Sequence, residues 1–70
     1  MYKSYSIRIK FKNTFKDLRF LADDTSICEE KWKEACQQID EIGETSNDSL
    51  EFFKRVKLNF ISYGFMPVKK

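Results

Sequence analysis

The chain has 70 residues, 41% of them apolar and 16% aromatic, with a net charge of +2. This is one domain, spanning residues 1–70, near the lower end of what folds without disulfides or metal, and the composition excludes an intrinsically disordered segment. No apolar run approaches the ~18 residues of a membrane span and no basic-then-apolar leader opens the chain, so a cytoplasmic protein with no membrane contact is expected.

The first element is announced by residues 4 to 20, SYSIRIKFKNTFKDLRF. Tyr5, Ile7, Ile9 and Phe11 take one parity, and Arg8, Lys10 and Lys12 the other. Leu18, Phe20 and Ala22 resume the alternation after the polar pair Asn13 and Thr14. A β-hairpin follows from this pattern, with its turn at Asn13–Thr14. A two-residue loop there sets Lys10 opposite Asp17 and Arg8 opposite Arg19, and a four-residue loop sets Lys10 opposite Arg19. Either register leaves like charges facing each other on the outer side, which is mildly destabilising.

From Ser26 to Gly43 the period changes. Cys28, Trp32, Ala35, Cys36, Ile39 and Ile42 recur at three- and four-residue steps and predict one amphipathic helix. Ser26 with Glu29 fits a capping box, and Gly43 is the expected stop. On such a helix Cys28 and Cys36 lie about 12 Å apart along the axis, too far to bridge each other. The outward acids Glu30, Glu34, Asp40 and Glu41, with Asp23 and Asp24 nearby, are expected to form a solvated face, the other reading being an imitation of a phosphate track that blocks a nucleic-acid-binding partner.

A second helix is predicted from about Leu50 to Tyr63, with Asp48 or Ser49 as N-cap and Gly64 as stop. Leu50, Phe52, Phe53, Val56, Phe60, Ile61 and Tyr63 cover about half of its circumference at 100° per residue, interrupted by Lys57. Leu58 falls outside that arc. The tail FMPVKK is expected to return to a sheet edge, where Pro67 is tolerated. The predicted architecture is α+β: an N-terminal hairpin and a short C-terminal edge strand packed against two helices, in the order ββααβ.

Several chemistries are excluded by composition. The chain has no histidine, no G-x-S-x-G and only two glycines, so neither a nucleophile–base pair nor a phosphate-cradling loop can be assembled. Without histidine or a paired C-x-x-C, no zinc site is expected. The expectation is a non-catalytic protein with no cofactor and no metal. Charge is segregated: residues 1–20 carry +5, residues 21–51 carry −8 and residues 52–70 carry +5.

Two surfaces could serve recognition. The apolar arc of the second helix and the tail after it exceeds the ~100° stripe that one helix usually buries. Trp32 and Ile39 of the first helix could cover the remainder, or a protein partner could, through Phe52, Leu58, Tyr63, Phe65 and Met66. A compact regulator or inhibitor acting by steric occlusion is the favoured reading, with homodimerisation through the same helix as one form of it. The alternative is a nucleic-acid-binding module that tracks phosphates with Arg8, Lys10, Lys12 and Arg19.

Overall fold

The alternation of the first 23 residues becomes a hairpin of two ten-residue strands in the computed structural model, which describes residues 2–23 and 25–68. β1 (Tyr2–Phe11) and β2 (Thr14–Asp23) are followed by α1 (Cys28–Gln37), α2 (Ile39–Thr45), α3 (Ser49–Ser62) and β3 (Met66–Pro67). β3 joins the free edge of β2, so the sheet order is β1-β2-β3, antiparallel throughout. The molecule is a small α+β fold in the expected ββααβ order, with the first helix divided in two.

The hairpin turn lies one residue earlier than expected, at Lys12–Asn13. Phe11 faces Thr14, Ile9 faces Lys16 and Arg8 faces Asp17. The predicted like-charge pairs are therefore absent: Arg8 Nε donates to Asp17 Oδ1 at 2.8 Å, and Lys10 faces Phe15. Lys12 has φ 55°, the only non-glycine positive φ among the described residues. A positive φ at the first of two loop residues matches a type II′ turn, a position that favours glycine. Relief of about 1–2 kcal/mol of left-handed strain outweighs the extra unfolded-state entropy of glycine. Lys12→Gly is therefore expected to raise the urea midpoint, by about 0.5–1 kcal/mol of stability.

Two start and stop signals of the first helix are used differently from the expectation. Ile27, not Ser26, is the N-cap of α1, and no side chain caps it. A backbone turn serves instead, in which the Cys28 N–H donates to the Thr25 carbonyl at 3.2 Å. Gly43 lies inside α2 rather than ending it. A Cβ at this position would sit 3.3 Å from the Phe52 ring, so its missing side chain lets α2 approach α3. The break itself falls at Gln38. The Ala35 carbonyl accepts from the Gln38 N–H at 3.2 Å and also from Asn59 Nδ2 of α3 at 3.0 Å. A side chain inserted into the hydrogen-bond ladder is a recognised cause of a helix kink.

α3 begins and ends as its sequence suggests. Asp48 Oδ1 accepts from the Glu51 N–H at 2.8 Å, and Glu51 Oε2 reaches back to the Asn47 N–H at 3.1 Å. At the other end Gly64 has φ 97°, its N–H donates to Ile61, and the Phe65 N–H donates to Phe60. These two bonds form a Schellman motif. The Phe60 and Phe65 rings meet edge to face at 6.2 Å, the apolar contact that usually accompanies it.

The core lies between the inner face of the sheet and the helices. Ile9, Phe11, Leu18, Phe20 and Ala22 from the hairpin meet Cys28, Ala35, Phe52, Val56, Phe60 and Phe65. Trp32 organises the centre: it stacks on Phe60 at 4.6 Å and on Tyr5 at 4.8 Å, and meets Phe65 edge-on at 5.1 Å. Much of the aromatic surplus is thus covered from within the chain, and Ile39 also packs against this core. The Tyr5 hydroxyl donates to Cys28 Sγ at 3.0 Å, and this bond raises the tyrosine above its ordinary range.

Candidate functional site

The five residues expected to contact a protein partner separate in the fold. Phe52 and Phe65 are each only 2% exposed and belong to the core, with Phe52 stacked on Phe11 at 5.0 Å. Neither presents a surface to a partner while the chain is folded. Tyr63 is half-buried against the same core. Leu58 is 54% exposed on α3, and Met66 is exposed on β3 opposite Leu21. These two point from different elements and do not form one patch by themselves.

The basic residues of the hairpin gather on the sheet face away from the helices. Arg8 and Lys10 alternate with the buried Ile9 and Phe11 of β1, and Arg19 alternates with Leu18 and Phe20 of β2. Lys12 sits in the turn. Tyr2 and Phe15, each 60% exposed, occupy the same outer face. Three of the four cations are engaged, Lys12 with its Nζ 5.5 Å from the Phe11 ring centroid. Arg8 is paired with Asp17, whose carboxyl this bond holds below the usual carboxylate range. Lys10 Nζ lies 5.3 Å from the Phe15 ring centroid. At the far end of β1, Lys3 pairs with Glu29, which lowers that carboxyl and raises the lysine.

No family model, curated protein or solved structure matches this chain. The geometry of its surface therefore carries the functional reading.

That geometry is asymmetric about α3. On one flank Arg55 donates to Thr45 Oγ1 at 2.8 Å and Asn59 donates to Ala35, tying α3 to α2 and α1. The opposite flank carries Leu50, Lys54, Lys57, Leu58 and Ile61, all exposed, with Leu50 at 82%. At 100° per residue these five fall within one arc of about 100°. A groove of about 510 Å³ runs between this flank and β2, lined by Leu50, Phe53, Lys54 and Lys57 on one side and Lys16 to Phe20 on the other, with Pro67 and Val68 beyond. Lys16 Nζ lies 5.6 Å from the Phe53 ring, so the alkyl stem of the lysine covers part of the apolar floor.

Of the groove residues, only Arg19 was expected from the sequence to be a site residue. Leu50, Lys54, Lys57 and Val68 were not singled out as site residues. The one signal that could have found them was Lys57, which interrupts the apolar arc and marks where burial ends. Among the described residues, no three side chains of Cys, Asp and Glu lie close enough to hold a metal ion, and no helix is long and apolar enough to cross a membrane.

Proposed function

We propose that this is a non-catalytic protein-binding regulator that acts by steric occlusion of a macromolecular partner. A single observation carries the reading: α3 has two apolar faces, and only one of them is covered. Leu50, Leu58 and Ile61 remain exposed on one flank, with Leu50 lining the groove, whereas solitary exposed apolar residues would need no explanation. Aromatic anchors no longer figure in the mechanism. Contact is made by the aliphatic flank of α3, with Lys54 and Lys57 steering the encounter. Both cysteines are free thiols, which supports a reducing, cytoplasmic setting for such a protein.

The test is affinity capture with the wild-type chain and with Leu50→Asp/Leu58→Asp. Both positions are exposed, so the double variant should melt within about 0.5 kcal/mol of wild type and lose the captured protein. Retention of the same partner by both would sink the reading. Sedimentation of the purified chain shows whether the partner is a second copy.

Nucleic-acid binding remains the second reading, favoured by one observation: Tyr2 and Phe15 share the outer sheet face with Arg8, Lys10 and Arg19, as a base-stacking platform requires. Against it stands the Arg8–Asp17 pair, which withdraws one cation from the face. Fluorescence anisotropy with labelled oligonucleotides decides it, because phosphate binding weakens steeply with salt.

A further inference from the structure

We infer that the groove between β2 and α3 receives an acidic, extended segment of a protein partner, added as a strand to the edge of β2. The inference rests on the protein-binding reading above and names the chemistry of the partner.

Three observations converge on it. The first is the sheet edge. The Val68 N–H donates to the Arg19 carbonyl at 3.0 Å, so the backbone groups of Arg19 face the β3 side of β2. Alternate residues of an antiparallel strand present their backbone groups to the same edge. Those of Asp17 and Phe15 therefore face that edge too. Among the described residues β3 pairs no further along β2 than Arg19. The stretch from Thr14 to Leu18 is about 17 Å long at ~3.4 Å per residue, and its Lys16–Leu18 part lines the groove.

The second observation is charge. Lys16, Lys54 and Lys57 line the groove on its α3 side and Arg19 borders it from the outer sheet face, while its one acid, Asp17, is bonded to Arg8. No ion pair among the described residues engages any of these four cations. Residues 52–68 contain no acid at all. A site with this field favours carboxylates and discriminates against basic segments.

The third observation is the floor. Phe53 and the exposed Leu50 and Val68 supply apolar contacts between the cations. A strand laid along β2 points alternate side chains toward α3 and away from it. The occupant that satisfies edge, charge and floor together carries both acidic and apolar side chains on the face it turns to α3. A nucleic acid would find the cations but no stacking surface, because Phe53 is buried.

The experiment is selection of phage-displayed random decapeptides on the immobilised full-length chain, followed by synthesis of the enriched sequences and NMR titration of the labelled protein. The expected peptides are rich in Asp and Glu and also carry apolar residues. Their affinity should fall about tenfold or more in Lys54→Glu/Lys57→Glu, a doubly exposed change whose folding is checked by its thermal melt. On binding, the amides of Phe15 and Asp17 should become protected from hydrogen exchange.

Enriched peptides without acid enrichment, or peptides that bind the charge-reversed variant as well as wild type, overturn the inference. If such peptides still lose binding in Leu50→Asp/Leu58→Asp, the broader protein-binding reading survives. An absence of any enriched peptide overturns the inference. If the wild-type chain alone then binds labelled oligothymidylate and Lys54→Glu/Lys57→Glu does not, the broader reading falls with it.

Discussion

Phe60→Ala is expected to lower the unfolding free energy by about 3–5 kcal/mol, whereas Leu58→Ala, two residues away, should change it by no more than about 0.5 kcal/mol. Phe60 is fully buried and touches rings from β2, α1 and the segment leading into β3: Phe20 at 4.9 Å, Trp32 at 4.6 Å and Phe65 at 6.2 Å. Removing it opens a void that these rings cannot all close at once. A domain of 70 residues has about 4–10 kcal/mol of stability in total, so the variant loses about a third or more of it and its urea midpoint falls accordingly. Urea titration followed by far-UV circular dichroism measures both variants. The contrast also tests the phase of α3. Leu50, Phe52, Val56, Leu58 and Phe60 share a parity, so a strand would bury Leu58 and Phe60 alike. Equal losses for the two variants would contradict the helix.

Gly64→Ala should destabilise by about 1–2 kcal/mol. The origin is the backbone alone, because a Cβ at Gly64 would meet nothing within 4 Å and only its φ of 97° is unfavourable for an L side chain. Gly64→Ser should therefore behave like Gly64→Ala, while Gly64→Asn should lose less, since asparagine tolerates the left-handed region better. The consequence extends beyond the turn. Gly64 reverses the chain so that Phe65 enters the core and Met66 reaches β2. Loosening it should reduce the near-UV dichroism of the aromatic cluster before global unfolding. An alanine variant as stable as wild type would show that the motif does not constrain the tail.

The pattern of inner and outer residues was legible in the sequence because it depends on local periodicity alone. Tyr5, Ile7, Ile9, Phe11, Leu18, Phe20 and Ala22 needed only the period-two pleat to be assigned to one face. The register was not legible, for a related reason. Moving a hairpin turn by one residue shifts the pairing by two, which preserves every inside and outside assignment. The observed register is the one that sets Arg8 against Asp17 and leaves Lys10 opposite Phe15. With the register corrected, the facing like charges vanish, and so does the support they lent to a nucleic-acid grip by the hairpin.

Site residues followed the same division. Phe52 and Phe65 carry the composition of an interface core, and they also carry that of a small domain's interior. Only the presence of Trp32 and Phe11 against them decided the matter. The break at Gln38 has no local signal either, since the Asn59 amide that enters the ladder comes from 24 residues away.

By itself, then, the sequence determined the fold class, the order of its elements, the caps of α3 and the absence of histidine chemistry. Each of these follows from a residue and its near neighbours. Tertiary structure decided the register, the division of the first helix, which aromatics are core and which flank of α3 is left open. Those are properties of pairs of elements, because burial is set by what arrives opposite a side chain. For the same reason the groove cations, from Lys16 on β2 to Lys57 on α3, became one site only when the chain had folded.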